Sequence, residues 1–146
     1  MDQSRRPILY ADLGVADDPG GRFESLTAHV ILLIERLEGR ADVRQALFDV
    51  YISDLDGALR EMGVGDLAVA KRMKTLGSAF YGRAKAYAAA FAALPDESVL
   101  EALLGRTLCS GANAETVRQL RDDILGLRRR LASLDPLDPT FLNGSI

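Results

Sequence analysis

The chain has 146 residues with one histidine and one cysteine, so side chains able to do catalytic chemistry are scarce. His29 lies one step off an apolar helical stripe made by Phe23, Leu26, Val30, Leu33, Ile34 and Leu37. An imidazole there packs at a core boundary. A metal site would need further ligands, and neither C-x-x-C nor H-x-x-x-H spacing occurs. Cys109 stands between Leu108 and Ser110 at a helix end, far from His29 in sequence. A nucleophilic thiolate needs a base or a cation beside it, and the sequence suggests none, so the thiol reads as structural. Asp54 and Asp56 invite the idea of a carboxylate pair, but residues two apart on a helix do not face each other. Asp54 falls four after Val50, near the apolar stripe, and is expected to meet a basic or hydroxyl partner inside. Gly63-Val64-Gly65 resembles a fragment of a phosphate loop. It follows a helix and not a strand, and a third glycine is missing, so it reads as a helix-stop turn. No cofactor, metal or enzymatic activity is expected.

Charge carries more information. Residues 1–66 hold 13 acids and 7 bases, and residues 95–146 hold 8 acids and 6 bases. Residues 67–94 hold Lys71, Arg72, Lys74, Arg83 and Lys85 and no acid. The whole chain, at net −3, is no electrostatic match for nucleic acid, but this one segment can meet an anionic partner. On a helical wheel of roughly 100° per residue, Lys71, Lys74, Lys85 and Tyr81 share one flank, while Arg72 and Arg83 lie across the core face. One reading pairs these bases with acids of the preceding helix, such as Asp49, Asp56 and Glu61. The other makes the flank a docking patch for acidic protein loops, anionic headgroups or ribosomal RNA, with the lysines exposed and Arg83 partly buried and structural. Five bases without an aromatic stacking platform exclude sequence-specific nucleic-acid recognition. Arg128-Arg129-Arg130 read as a solvated helix end, where cations oppose the helix dipole favourably.

The elements that position these residues are helical throughout. Apolar residues make up 48% and charged residues 27%, with no Trp, 5 Phe and 4 Tyr, which fits one globular domain. A single cysteine forms no internal disulfide. The longest apolar run, Ala86 to Leu94, is too short to span a bilayer, which takes ~20 residues. The opening Met1-Asp2-Gln3-Ser4-Arg5-Arg6-Pro7 reads as neither a secretory signal nor a transit peptide, which points to the cytoplasm.

A short helix is expected around Ile8 to Leu13. Asp18-Pro19 then caps a helix that Gly39 ends. The next runs from about Ala41 to Met62, with Val43, Leu47, Val50, Tyr51, Leu55, Ala58, Leu59 and Met62 as its stripe, and Gly63 takes the left-handed position after it. Asp66 is expected to cap a third helix reaching Leu94. Its core face is Val69, Met73, Leu76, Phe80, Ala84, Tyr87, Phe91 and Leu94. Its opposite face, Thr75, Ser78, Ala79, Gly82, Ala86 and Ala89, consists of small residues that allow close helix approach. In water that pattern marks a central helix covered on two sides. A fourth helix starts at Pro95-Asp96 and a fifth runs from about Ala114 to Leu134. The tail from Asp135 reads as a frayed end.

Two sets of residues carry a family resemblance. One is Leu59-Arg60-Glu61-Met62-Gly63-Val64-Gly65-Asp66-Leu67, followed by Lys71-Arg72-Met73-Lys74 and Phe80-Tyr81-Gly82-Arg83. The other is Tyr10-Ala11-Asp12-Leu13-Gly14-Val15, followed by Gly21-Arg22-Phe23. Together they resemble the ubiquinol–cytochrome c chaperone family over about residues 7–134. The resemblance implies a helical, non-enzymatic assembly factor for ubiquinol–cytochrome c reductase. Its client would be cytochrome b, its place near the ribosome or the inner-membrane surface, and the chain would be a bacterial member. Members usually carry a further helical stretch before the tyrosine-containing opening, whereas here Met1 stands nine residues before Tyr10.

The expectation is thus an all-α fold: one compact domain over residues 1–134, with about five main helices and residues 67–94 as the central, basic one. Lys71, Lys74, Tyr81, Gly82 and Lys85 are the expected partner-binding residues. Arg60, Met62, Gly63, Gly65, Asp66 and Arg83 are the expected structural motif. The alternative is a generic helical adaptor for an acidic protein.

Overall fold

The computed structural model describes residues 2–135, and no strand occurs among the described residues. A 3-10 turn at Asp2–Arg5 leads into α1 (Pro7–Ala11), α2 (Pro19–Arg36), α3 (Ala41–Glu61), α4 (Asp66–Ala92), α5 (Ser98–Arg106) and α6 (Ala114–Ser133). The chain is therefore all-α. It counts six α-helices among the described residues where the patterning counted about five main ones; the short segment near Ile8 is the additional helix, α1. Of the expected frayed tail, 135–146, all but Asp135 lies outside the described residues.

Local signals set most boundaries. The Asp18 carboxylate accepts the Gly21 backbone N–H at 2.7 Å, with Pro19 at the first helical position. Asn113 does the same for Thr116 at 2.8 Å and opens α6. Asp96 accepts from both the backbone N–H and the hydroxyl of Ser98, at 3.0 and 2.7 Å, just before α5. These side-chain oxygens satisfy donors that a helix start leaves without partners. Gly63 has φ +79, and its N–H donates to the Arg60 carbonyl at 2.9 Å while Val64 N–H reaches Leu59 at 3.2 Å, closing α3. Gly21 is required for a different reason: a Cβ there would lie 1.9 Å from the Ala16 carbonyl oxygen.

Asp66 does not cap α4. Gly65 occupies that position with φ −69 and ψ 155, and Asp66 is the first helical residue. Its carboxylate is taken by Arg60, which also donates to Asp56 at 2.6 Å. One guanidinium in the last turn of α3 thus holds an acid on each side of the turn.

The central helix is α2, not the basic helix. Every residue from Thr27 to Leu32 is buried, and α2 packs against α3, α4 and α6. A helix buried all round must lack charge along that stretch, and residues 25–34 carry none. By contrast α4 buries only one stripe, with Val69, Phe80, Tyr87, Ala90 and Phe91 inside.

Polar contacts tie the helices together. Thr27 Oγ1 and the Tyr51 hydroxyl are 2.9 Å apart between α2 and α3. The Ser4 carbonyl accepts the Ser25 hydroxyl at 2.8 Å and the Tyr10 hydroxyl at 2.9 Å, which seats the N-terminal turn on α2. Arg128 is no solvated helix end. It donates to Glu35 of α2 and lies 4.4 Å from the centre of the Phe91 ring. Arg129 and Arg130 are exposed.

Candidate functional site

Helix α4 brings the expected partner-binding residues onto open surface. Lys71, Lys74, Tyr81, Gly82 and Lys85 are all exposed. No ion pair involves Lys71, Arg72, Lys74 or Lys85 among the described residues. Two of the acids that could have matched them are engaged elsewhere: Asp49 accepts from Gln45 at 2.8 Å, and Asp56 is held by Arg60. Arg83 behaves differently. It is half-buried and donates to both Glu24 oxygens, at 2.9 and 2.6 Å, and that carboxylate holds the guanidinium above its ordinary range.

At roughly 100° per residue, Leu67, Lys71, Lys74, Ser78, Tyr81, Lys85 and Ala88 share an arc of about 100° pointing away from the core. All are exposed, Leu67 to 92% and Tyr81 to 65%. The stripe is ~30 Å long at 1.5 Å per residue. Leu67 was not singled out from the sequence. The available signal was an apolar residue out of phase with Val69 and Met73, on the lysine flank.

The small-residue face adjoins this stripe and is open. Thr75, Ser78, Gly82 and Ala89 are exposed, and a Cβ on Gly82 would meet nothing within 4 Å. Among the described residues no second helix covers this face along its length, because α2 and α3 pack on the opposite side. Its C-terminal end has a neighbour. There Ala86 and Ala89 face Ser98, Val99, Ala102, Leu103 and Arg106 of the short α5 across a groove.

At the α3–α4 turn, Arg60, Gly63, Gly65 and Asp66 build the hairpin tip, where Met62 is exposed to 56%. Asp54 is also exposed, so the interior partner expected for it does not exist among the described residues; its direction on α3 diverges from those of the buried Tyr51 and Leu55.

Among the described residues, no three His, Cys, Asp or Glu side chains gather as metal ligands. His29 is buried, with Nδ1 2.7 Å from the Ser25 carbonyl and Nε2 without a hydrogen-bond partner among the described residues, and burial lowers its pKa. The Cys109 thiol is buried and donates to the Leu104 carbonyl at 3.3 Å, and burial pushes its pKa up, away from a reactive thiolate. No helix among the described residues is long and apolar enough to cross a membrane.

Comparison with known proteins places the chain in a family. The family model described as ubiquinol-cytochrome C chaperone matches residues 11–146. Among solved structures, the crystal structure of the Cbp3 homolog from Brucella abortus is similar at a TM-score of 0.83 and 34% identity, covering 99% of this chain and 81% of that one. Comparison with curated proteins yields no match.

Proposed function

Because the chain belongs to the ubiquinol–cytochrome c chaperone family, we propose that it is a non-catalytic chaperone that holds cytochrome b while ubiquinol–cytochrome c reductase is assembled. The observation that carries this reading is the open small-residue face of α4 running into the groove against α5. An apolar client helix gains most from a surface that lets its backbone approach closely, and Gly82, Ala86 and Ala89 supply that surface. The lysine flank beside it positions the chaperone at an anionic surface, that of the membrane or the ribosome.

A second reading, an adaptor for an acidic soluble protein, draws on the same unpaired lysines but leaves the small-residue face without a role. Affinity capture from detergent-solubilised membranes separates the two. Recovery of cytochrome b by the native chain, lost with Gly82→Leu, supports the chaperone. Recovery of a soluble acidic protein, lost on reversing the lysines to Glu and indifferent to Gly82→Leu, supports the adaptor.

A further inference from the structure

The exposed stripe of α4 combines two properties that are seldom found on one solvated face. Its lysines form no ion pair among the described residues: residues 67–94 contain no acid, and the adjacent Asp66 is bound to Arg60. Its apolar members are also the most exposed large ones of the described residues, Leu67 at 92% and Tyr81 at 65%. We infer that this stripe is a bilayer-docking edge. Helix α4 lies along an anionic membrane with Lys71, Lys74 and Lys85 among the headgroups and with Leu67 and Tyr81 dipping to the acyl boundary. The inference rests on the proposed docking role of the basic flank and names its partner.

Chemistry favours lipid over RNA as that anionic surface. The cations of the stripe are all lysines, whose flexible stems reach headgroups while their methylenes lie against apolar surface. Arginine, the better bidentate phosphate ligand, is absent from the stripe, and Arg83 is committed to Glu24. Tyr81 is no free stacking platform. Its ring centre lies 5.8 Å from that of Phe80 and 6.0 Å from that of Phe48, so the ring leans on the protein while the residue stays 65% exposed. That posture suits a tyrosine at the membrane–water boundary. An isolated exposed leucine adds nothing on RNA but adds burial in a membrane interface. The open small-residue face turns only a fraction of a turn from this edge. A chaperone docked in this way presents that face along the bilayer surface, where a membrane-protein client emerges.

The test uses the whole chain and vesicles of phosphatidylcholine with or without phosphatidylglycerol. The native chain should co-sediment with the anionic vesicles and not with pure phosphatidylcholine, and high salt should release it. Lys71→Gln, Lys74→Gln and Lys85→Gln together should weaken vesicle binding by roughly 100-fold without shifting the melting curve. An environment-sensitive dye on Leu67→Cys should blue-shift on anionic vesicles, and the same dye on Arg118→Cys of α6 should not; the buried Cys109 stays unlabelled. Full vesicle binding by the triple variant, equal binding to neutral vesicles, or no dye shift at position 67 would overturn the bilayer edge. Lysine-dependent co-sedimentation with ribosomes, with vesicles ignored, would overturn it too, yet would leave the anionic-surface reading standing. Failure to bind either would remove both. Capture of cytochrome b in detergent is measured separately and bears on neither outcome.

Discussion

Arg83 of α4 and Glu24 of α2 form a two-pronged ion pair, Nε to Oε2 at 2.9 Å and Nη2 to Oε1 at 2.6 Å, across the side of α4 opposite its lysine flank. The rotation of α4 is set by its buried stripe of Val69, Phe80, Tyr87, Ala90 and Phe91, and the pair is in keeping with it. With that stripe inside and Arg83 beside the central helix, Lys71, Lys74 and Lys85 face outward. Among the five bases of this segment, Arg83 is thus the one with an acid placed to receive it in α2.

Arg83→Ala should lower stability by about 1–2 kcal/mol. The side chains of the pair are 33% and 16% exposed, so solvent screens part of the attraction, but truncation strands a half-buried carboxylate. At ~3 °C per kcal/mol for a chain of this size, the melting temperature should fall by several degrees. The triple lysine variant should not move it. Equal melting temperatures for Arg83→Ala and the native chain would show that the pair adds nothing to the fold.

The α3–α4 turn allows a matched comparison. Gly63 has φ +79, and a Cβ added there would meet nothing within 4 Å, so any cost of substitution is backbone strain and not a clash. Gly63→Val should destabilise by about 2 kcal/mol, because a β-branched residue resists the left-handed region. Gly65 at φ −69 lies where every residue is at ease, and Gly65→Ala should cost under ~1 kcal/mol. Urea unfolding of both variants checks the difference, and equal midpoints would mean that the turn relaxes around either change.

How much of this was legible in the sequence depends on the range of the cause. Short-range signals read well: Asp18-Pro19, Gly63 and the Val69-to-Phe91 stripe each act within a few residues, and the helices start and stop close to where those residues put them. The lysine flank could be read for the same reason, since one helix's periodicity decides which side chains share a face. The centre of the fold could not. An uncharged stretch at residues 25–34 is compatible with burial on one side or on all sides, and only the packing of α3, α4 and α6 around it makes α2 central. Likewise a small-residue face can be covered or open, and α5, at 9 residues, is too short to cover it. Arg128 and Asp54 went astray through tertiary neighbours: Glu35 and Phe91 draw the first inward, and nothing draws the second.

His29 makes stability depend on pH in a known direction. Burial holds its pKa below the ordinary 6.5, although the hydrogen bond with the Ser25 carbonyl opposes the shift. A depressed value in the folded state means that the unfolded chain binds the proton more readily. Stability is therefore full above pH 6.5 and declines as pH falls below it, towards the folded value, at a slope of at most ~1.4 kcal/mol per pH unit. It is the chain's one histidine, so between pH 7.5 and 5.5, above the range of ordinary carboxylates, this slope should vanish in His29→Gln whatever that variant's absolute stability. A native unfolding midpoint that is flat over this window would mean that the imidazole finds a partner once protonated.

Gly82 decides whether the small-residue face serves the fold or a partner. It lies mid-helix and exposed, and a Cβ there meets nothing within 4 Å. Replacing a helical glycine with a good helix former at an open site should stabilise by roughly 0.5–1 kcal/mol, because the unfolded chain loses freedom and no contact is strained. Gly82→Leu should thus melt slightly above the native chain. The same side chain stands several ångströms proud of the face and would keep a client helix from lying against it, so capture of cytochrome b from solubilised membranes should fall sharply. Gly82→Ala separates the two effects, since it brings most of the stabilisation with little obstruction and should retain capture. A melting temperature lowered by Gly82→Leu would mean that part of the chain covers this face after all. Undiminished capture with raised stability would move the client to another surface of the molecule.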